Sequence, residues 1–437
     1  MKKLIAILLS AVLLFSLAAC SDKEKNEAEG TDTDAVVEST APSEPETSLP
    51  VIEEEVFAGL TAVDNEYCRI EIKEITEDYF GNALSVELEN KTADTTLYFT
   101  TDTCSINGVD TTMFLGESVT AGKTVKTTVT FFDEELIKNG IDKYTDIEVT
   151  FRVYEDDNWE ADDLVFETVN VYPYGPSKAE AYTRESKATD ITVFDTDEAA
   201  ATVIGWGESD LCDYCIELYL ENKSADVEYM FSVSATAING IEVMNLGTFS
   251  LPAGKVSFET IDIIDSTLEA NGITDFTDIF FTLRAYDAND WEADDIAENS
   301  VHIYPKGEDK AVPYVRQSTA KDKVIVDNES ITVIITGITE NDTFETQDMG
   351  LFIVNKTNEN ITFSMDNVSV NDCMLDPFFI VSVHPGFAMF TEASWSDYEL
   401  EDSNIESIEE IEFSFTASSA DDWDKDDYFN GKVTYNP

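Results

Sequence analysis

Beyond about position 57, hydrophobic and polar residues alternate through most of the chain. Ile147, Val149, Phe151 and Val153 are separated by Glu148, Thr150 and Arg152, and the rhythm returns from Ile279 and from Ile411. A period of two with one apolar face predicts half-buried strands. In the first copy the pattern predicts strands over 69–75, 84–89, 97–105, 124–132, 147–154 and 166–172. Asn107-Gly108 and Asn239-Gly240 punctuate these runs as tight turns. Ala121-Gly122-Lys123 and Ala253-Gly254-Lys255 mark a second turn, a place taken by Pro385-Gly386 in the third copy. The long helical crossovers that a parallel sheet requires are not visible. Short strands with turns at this spacing predict an all-β fold built as sandwiches of immunoglobulin type.

The pattern is written three times. Residues 133–173, 265–305 and 397–437 align without a gap at an offset of 132. Each stretch opens on Asp133, Asp265 or Asp397, a residue type that caps helix N-termini. One apolar turn follows around Leu136, Leu268 and Leu400, and it stops at Gly140, Gly272 and Asn404. Gly and Asn accept the left-handed backbone of a C-terminal cap. A helix this short cannot stand alone, so it is expected to be a connector lying on a sheet. The reading divides the chain into sandwich repeats at 57–173, 188–305 and 322–437, joined by 174–187 and 306–321. The joints keep Gly175 with Gly307, Tyr182 with Tyr314 and Arg184 with Arg316 in register, which a flexible spacer has no reason to do. Lys178, Lys187, Lys306, Lys310, Lys321 and Lys323 add to their positive charge, so acidic domain ends are expected to meet basic joints.

Ahead of the repeats, Lys2 and Lys3 precede an apolar run over 4–17 that is too short to span a membrane. The run ends in Leu17-Ala18-Ala19-Cys20, which resembles the lipobox of bacterial lipoproteins. The resemblance implies that residues 1–20 are a signal peptide whose Cys20 becomes the first mature residue and carries a diacylglyceryl group. Stable anchoring takes two acyl chains, so the membrane is the first expected partner and its extracytoplasmic face the expected address. Residues 21–56 are acidic and poor in aromatic residues, a composition that does not bury enough apolar surface to fold, and are read as a tether.

Glu89-Asn90-Lys91, Ile106-Asn107-Gly108, Ala121-Gly122-Lys123, Asn139-Gly140-Ile141 and Asn158-Trp159 together resemble the telokin-like, immunoglobulin-like repeat domains of Gram-positive lipoproteins. The resemblance runs from about residue 57 onward. It implies a fold and an extracytoplasmic address but no catalytic residues, since the function of that family is itself unsettled. The third repeat departs from it with Asn371-Asp372 and Pro385-Gly386-Phe387.

A formal net charge of −64 repels nucleic acid and anionic lipid, so proteins or glycans at the cell surface are the expected further partners. Cys68, Cys104, Cys212, Cys215 and Cys373 do not recur between repeats. Cys68 and Cys104 fall in one domain and are candidates to pair, Cys373 reads as a small buried apolar residue, and the Cys212-x-x-Cys215 spacing lacks the strand-to-helix context of a redox motif. His302 and His384 lie in different domains, so no His-based triad or zinc site is expected. The chain is read as a non-enzyme without a resident cofactor, with a structural or adhesive role through its repeats.

The candidate binding sites are three acidic loops around Trp159, Trp291 and Trp423. The first holds Asp156, Asp157, Glu160, Asp162 and Asp163; the second Asp287, Asp290, Glu292, Asp294 and Asp295; the third Asp421, Asp422, Asp424, Asp426 and Asp427. Calcium takes several oxygen ligands of this kind, and an indole can stack on a sugar. The Gly and distal Glu of an EF-hand are missing. A solvated strand connection with its Trp over the sheet edge is the simpler account of the loops, with calcium binding and sugar stacking as the alternatives.

Overall fold

The computed structural model describes residues 57–437 apart from 79–80, 133, 159–160, 208–213, 264–265, 291 and 423. The expected signal peptide, Cys20 and the expected tether therefore lie outside the described residues. The described chain is all-β, and its α-helices are the short segments Glu134–Lys138, Ser266–Ala270 and Asp397–Asp402.

In the first repeat, Leu60–Asp64, Cys68–Asp78, Gly81–Asn90 and Thr124–Phe131 pair antiparallel in one sheet, while Leu97–Ile106, Ile147–Glu155 and Val165–Val171 pair in another. Ile70, Val86 and Leu88 from the first sheet share a core with Phe99, Phe151 and Val153 from the second. Strands Tyr229–Ile238 and Ile361–Val370 repeat Leu97–Ile106 at the sequence offset, and Ile279–Asp287 and Ile411–Ser419 repeat Ile147–Glu155. Two further cores follow, one around Leu218, Phe231 and Phe281, the other around Leu351, Phe363 and Phe415. These positions alternate with polar residues because every second side chain of a strand faces the same layer.

The strands expected in the first repeat all form, with ends shifted by a few residues. Missed from the sequence are Leu60–Asp64, of which Val63 alone is buried, and the short edge strands Val109–Asp110, Met113–Phe114 and Gly116–Val119. The helix stops hold: Gly140, Gly272 and Asn404 have φ of 78, 74 and 58°. Leu136, Leu268 and Leu400 are buried beneath the helices. The cap expected at Asp397 is corrected by one residue. Ser396 accepts the Glu399 amide, and Glu399 reaches back to Ser396, a capping box that leaves Asp397 inside the first turn. Asp133 and Asp265 fall outside the described residues.

The repeats are not beads on a string; residues 57–437 belong to one compact unit. The edge strand Val109–Asp110 pairs in parallel with Val256 of the second repeat, and Ile241–Glu242 pairs in parallel with Ala388 and Met389 of the third. The Val256 amide donates to the Gly108 carbonyl at 3.1 Å and the Ala388 amide to that of Gly240 at 3.0 Å. Each pairing fuses the second sheet of one repeat to the first sheet of the next, covering backbone edges that would otherwise be open.

Candidate functional site

The acidic loops are outward-facing. Asp156, Asp157, Asp162, Asp290, Glu292, Asp294, Asp421, Asp422, Asp424, Asp426 and Asp427 are exposed, and Asp287 is half-buried. Trp159, Glu160, Trp291 and Trp423 lie outside the described residues. Asp163 accepts from Arg152 at 2.8 Å, and at the equivalent place Asp295 lies 3.6 Å from Arg284. Each of these arginines also stacks over a tyrosine, Tyr154 or Tyr286. The third repeat has Thr416 in place of the arginine, and Asp427 accepts from Asn430 instead. Other loop carboxylates fold back on their own backbone: Asp287 accepts the Asn289 amide and Asp422 that of Asp424. Among the described residues no group of three or more His, Cys, Asp or Glu side chains is disposed to hold a metal ion.

Two of the motifs behind the family resemblance, Glu89-Asn90-Lys91 and Ile106-Asn107-Gly108, make structural bonds. Asn90, Asn222 and Asn355 are buried, and each amide nitrogen donates to two backbone carbonyls; for Asn222 these are Val227 at 2.9 Å and Leu251 at 2.8 Å. The lysines that follow them, Lys91, Lys223 and Lys356, reach Asp64, Asp195 and Asp327. Asn107, Asn239 and Asn371 sit at positive φ, where Asn is tolerated, and their side-chain oxygens accept amides from the loop that leads into the next strand.

The same asparagines anchor the joints. Thr145 donates its hydroxyl to Asn107 at 2.9 Å and accepts the Glu180 amide at 3.0 Å, while the Tyr182 amide donates to the Asn107 carbonyl at 2.8 Å. In the second joint Thr277, Asn239, Val312 and Tyr314 repeat every one of these bonds. Arg184 then grips Asp190 through two nitrogens, and Arg316 grips Asp322 likewise. These forks hold both carboxyls below the usual carboxylate range. Tyr182 packs on Phe258, which touches Tyr219; Tyr314 packs on Phe390, which touches Phe352. The joints are therefore ordered, as the sequence register suggested. The expected charge contact exists at Lys306–Asp275, 2.5 Å apart, but the arginines pair within the chain that follows them.

Cys68 and Cys104 are free thiols, and burial pushes both up to about 12, which makes them unreactive. Cys373 is half-buried rather than buried. Cys212 lies outside the described residues. His302 contacts Asp278 and stacks on Tyr304, and His384 contacts Glu242 across the second joint. An open concavity of about 710 Å³ lies at the far end of the third repeat, lined by Ile338, Glu340, Asp397, Leu400 and Asn404 among others.

The chain matches no family model and no curated protein. One solved structure, described as structural insight into host cell surface retention of a 1.5-MDa bacterial ice-binding adhesin, aligns over 80% of this chain and 88% of that chain. The identity is 12% and the TM-score 0.14, a likeness that says nothing of role.

Proposed function

We propose that this protein is a lipid-anchored, extracytoplasmic arm in which three immunoglobulin-like repeats, of the telokin-like kind found in Gram-positive lipoproteins, hold a surface away from the membrane in a structural or adhesive role. The role is non-enzymatic. The observation that carries the reading is the joint. Both junctions repeat one set of side-chain bonds and one parallel strand pairing, so neighbouring repeats are held end to end. Domains in one chain move relative to each other by default unless their interface is substantial, so a twice-repeated clasp is a feature of an arm that must keep its reach. The Leu17-Ala18-Ala19-Cys20 sequence supplies the anchor and residues 21–56 the tether.

The test is made in cells. The full chain is expected in the membrane fraction, labelled by fatty acid and open to surface antibody, while Cys20→Ala is released. Cells displaying the full chain are expected to differ in adherence or surface architecture from cells displaying none. An unlabelled, cytoplasmic wild type would overturn the anchor, and unchanged adherence and architecture would overturn the role.

A further inference from the structure

The two joints share a backbone plan but differ in chemistry at equivalent positions. At the first, Glu148 pairs with Lys255 at 2.7 Å. At the second, the same places hold Phe280 and Phe387, with ring centroids 4.8 Å apart. The edge strand contributes a carboxylate to both joints, Asp110 in one and Glu242 in the other. In the place that the second joint gives to His384, the first has Pro252. His384 directs two donors at one side chain: its backbone amide lies 3.0 Å from Glu242 Oε2, and its ring Nδ1 2.6 Å from Glu242 Oε1. Glu242 is only 8% exposed, so its carboxylate is sealed into the interface. The charged groups facing the imidazole are Glu242 and, from the loop after Ile411–Ser419, Asp421, both acidic.

We propose that His384 and Glu242 form a pH-sensitive clasp that holds the third repeat on the second and slackens as the imidazole loses its proton. A buried carboxylate favours an imidazolium beside it, and the hydrogen bond that the ring donates to Glu242 raises the His384 pKa above its ordinary 6.5. A raised histidine contributes stability that is complete below 6.5 and is lost as pH rises through the higher folded value. The joint is thus tightest in mildly acidic surroundings. The Ala388–Gly240 backbone bond and the Phe280–Phe387 contact hold no titrating group, so the joint slackens without separating. An arm built this way swings its outer repeat more freely at alkaline pH.

Two measurements on the full chain test the clasp. With only two histidines, ring resonances resolve by NMR, and His384 is expected to titrate above 6.5 and to fall back toward it in Glu242→Gln. Hydrogen exchange at the Ala388 amide, corrected for the intrinsic pH dependence, reads the joint itself. Protection is expected to drop several-fold from about pH 6 to 8 in the wild type and to stay level in His384→Gln. The reference is the same joint in that variant, because Asp110, pushed up to about 7 by burial and by Glu259, gives the first joint a pH response of its own. A His384 midpoint at or below 6.5, or an equal loss of protection in His384→Gln, would overturn the proposal. Should Glu242→Gln fail to fold, the wild-type titration and His384→Gln still decide it.

Discussion

Thr145 gives its hydroxyl proton to the Asn107 side chain at 2.9 Å and, with the same oxygen, accepts the Glu180 amide at 3.0 Å. Thr277 does the same between Asn239 and Val312, whereas the equivalent residue in the third repeat is Glu409, which is exposed. The threonine therefore occurs in the two repeats whose following segment folds over it. Thr277→Val keeps the shape and leaves the Val312 amide without its acceptor. The expected cost is about 1–3 kcal/mol, read as a lower urea midpoint with an unchanged slope.

The paired forks predict a response to acid. Asp190 and Asp322 have carboxyls depressed below 3.8 by Arg184 and Arg316, so their contribution is complete above 3.8 and lost as pH falls through the depressed values. Arg316 and Asp322 are only 11% and 10% exposed at the side chain. Arg316→Gln takes the counter-charge from a largely buried carboxylate and leaves it only its Thr319 bonds, and removing one partner of such a pair costs roughly 3 kcal/mol. Acid titrations followed by tyrosine and tryptophan fluorescence are expected to show the variant unfolding at a higher pH than the wild type.

Salt is expected to separate the joints. Raising ionic strength from about 0.1 to 1 M shortens the screening length from about 10 to 3 Å and weakens Glu148–Lys255. Amide exchange at Val256, which donates across the first joint, should then speed up more than exchange at Ala388 across the second, where Phe280 meets Phe387, both read in His384→Gln so that the ion pair with Glu242 does not answer to salt as well. Equal acceleration at both amides would show that the ion pair contributes nothing to the first joint.

The buried asparagine is expected to matter more than any loop acid. Asn222→Ala strands two carbonyls, those of Val227 and Leu251, inside the second repeat. A loss of about 2–4 kcal/mol is expected for the pair, measured by calorimetry or denaturant. Asp290→Ala, on an exposed loop residue, should fall within about 0.5 kcal/mol of wild type.

Gly272 gives a backbone test. Its φ is 74° and a Cβ there would meet nothing within 4 Å, so Gly272→Ala isolates the cost of the left-handed conformation, about 1–2 kcal/mol. Asn404, at φ 58°, already carries part of that cost, and Asn404→Gly is expected to stabilise slightly.

The sequence alone determined what depends on neighbours in the chain. Alternation set the strands because successive side chains face opposite layers, and Gly140, Gly272 and Asn404 marked helix ends because few residues accept positive φ. The fixed offset revealed three repeats and ordered joints before any contact was known. Local signals failed where the deciding partner is remote. Leu60–Asp64 buries too little to show a period, and Ser396 displaced Asp397 as the cap because its own hydroxyl reaches the Glu399 amide. The sequence read Asp163 as a metal-ligand candidate and did not show that the fold brings Arg152 beside it from the neighbouring strand. The tertiary structure also decided that sheets run on from repeat to repeat, and that His384 meets a carboxylate 142 residues earlier in the chain. No period or spacing encodes such a contact, because it exists only once two folded repeats have docked and excluded water between them.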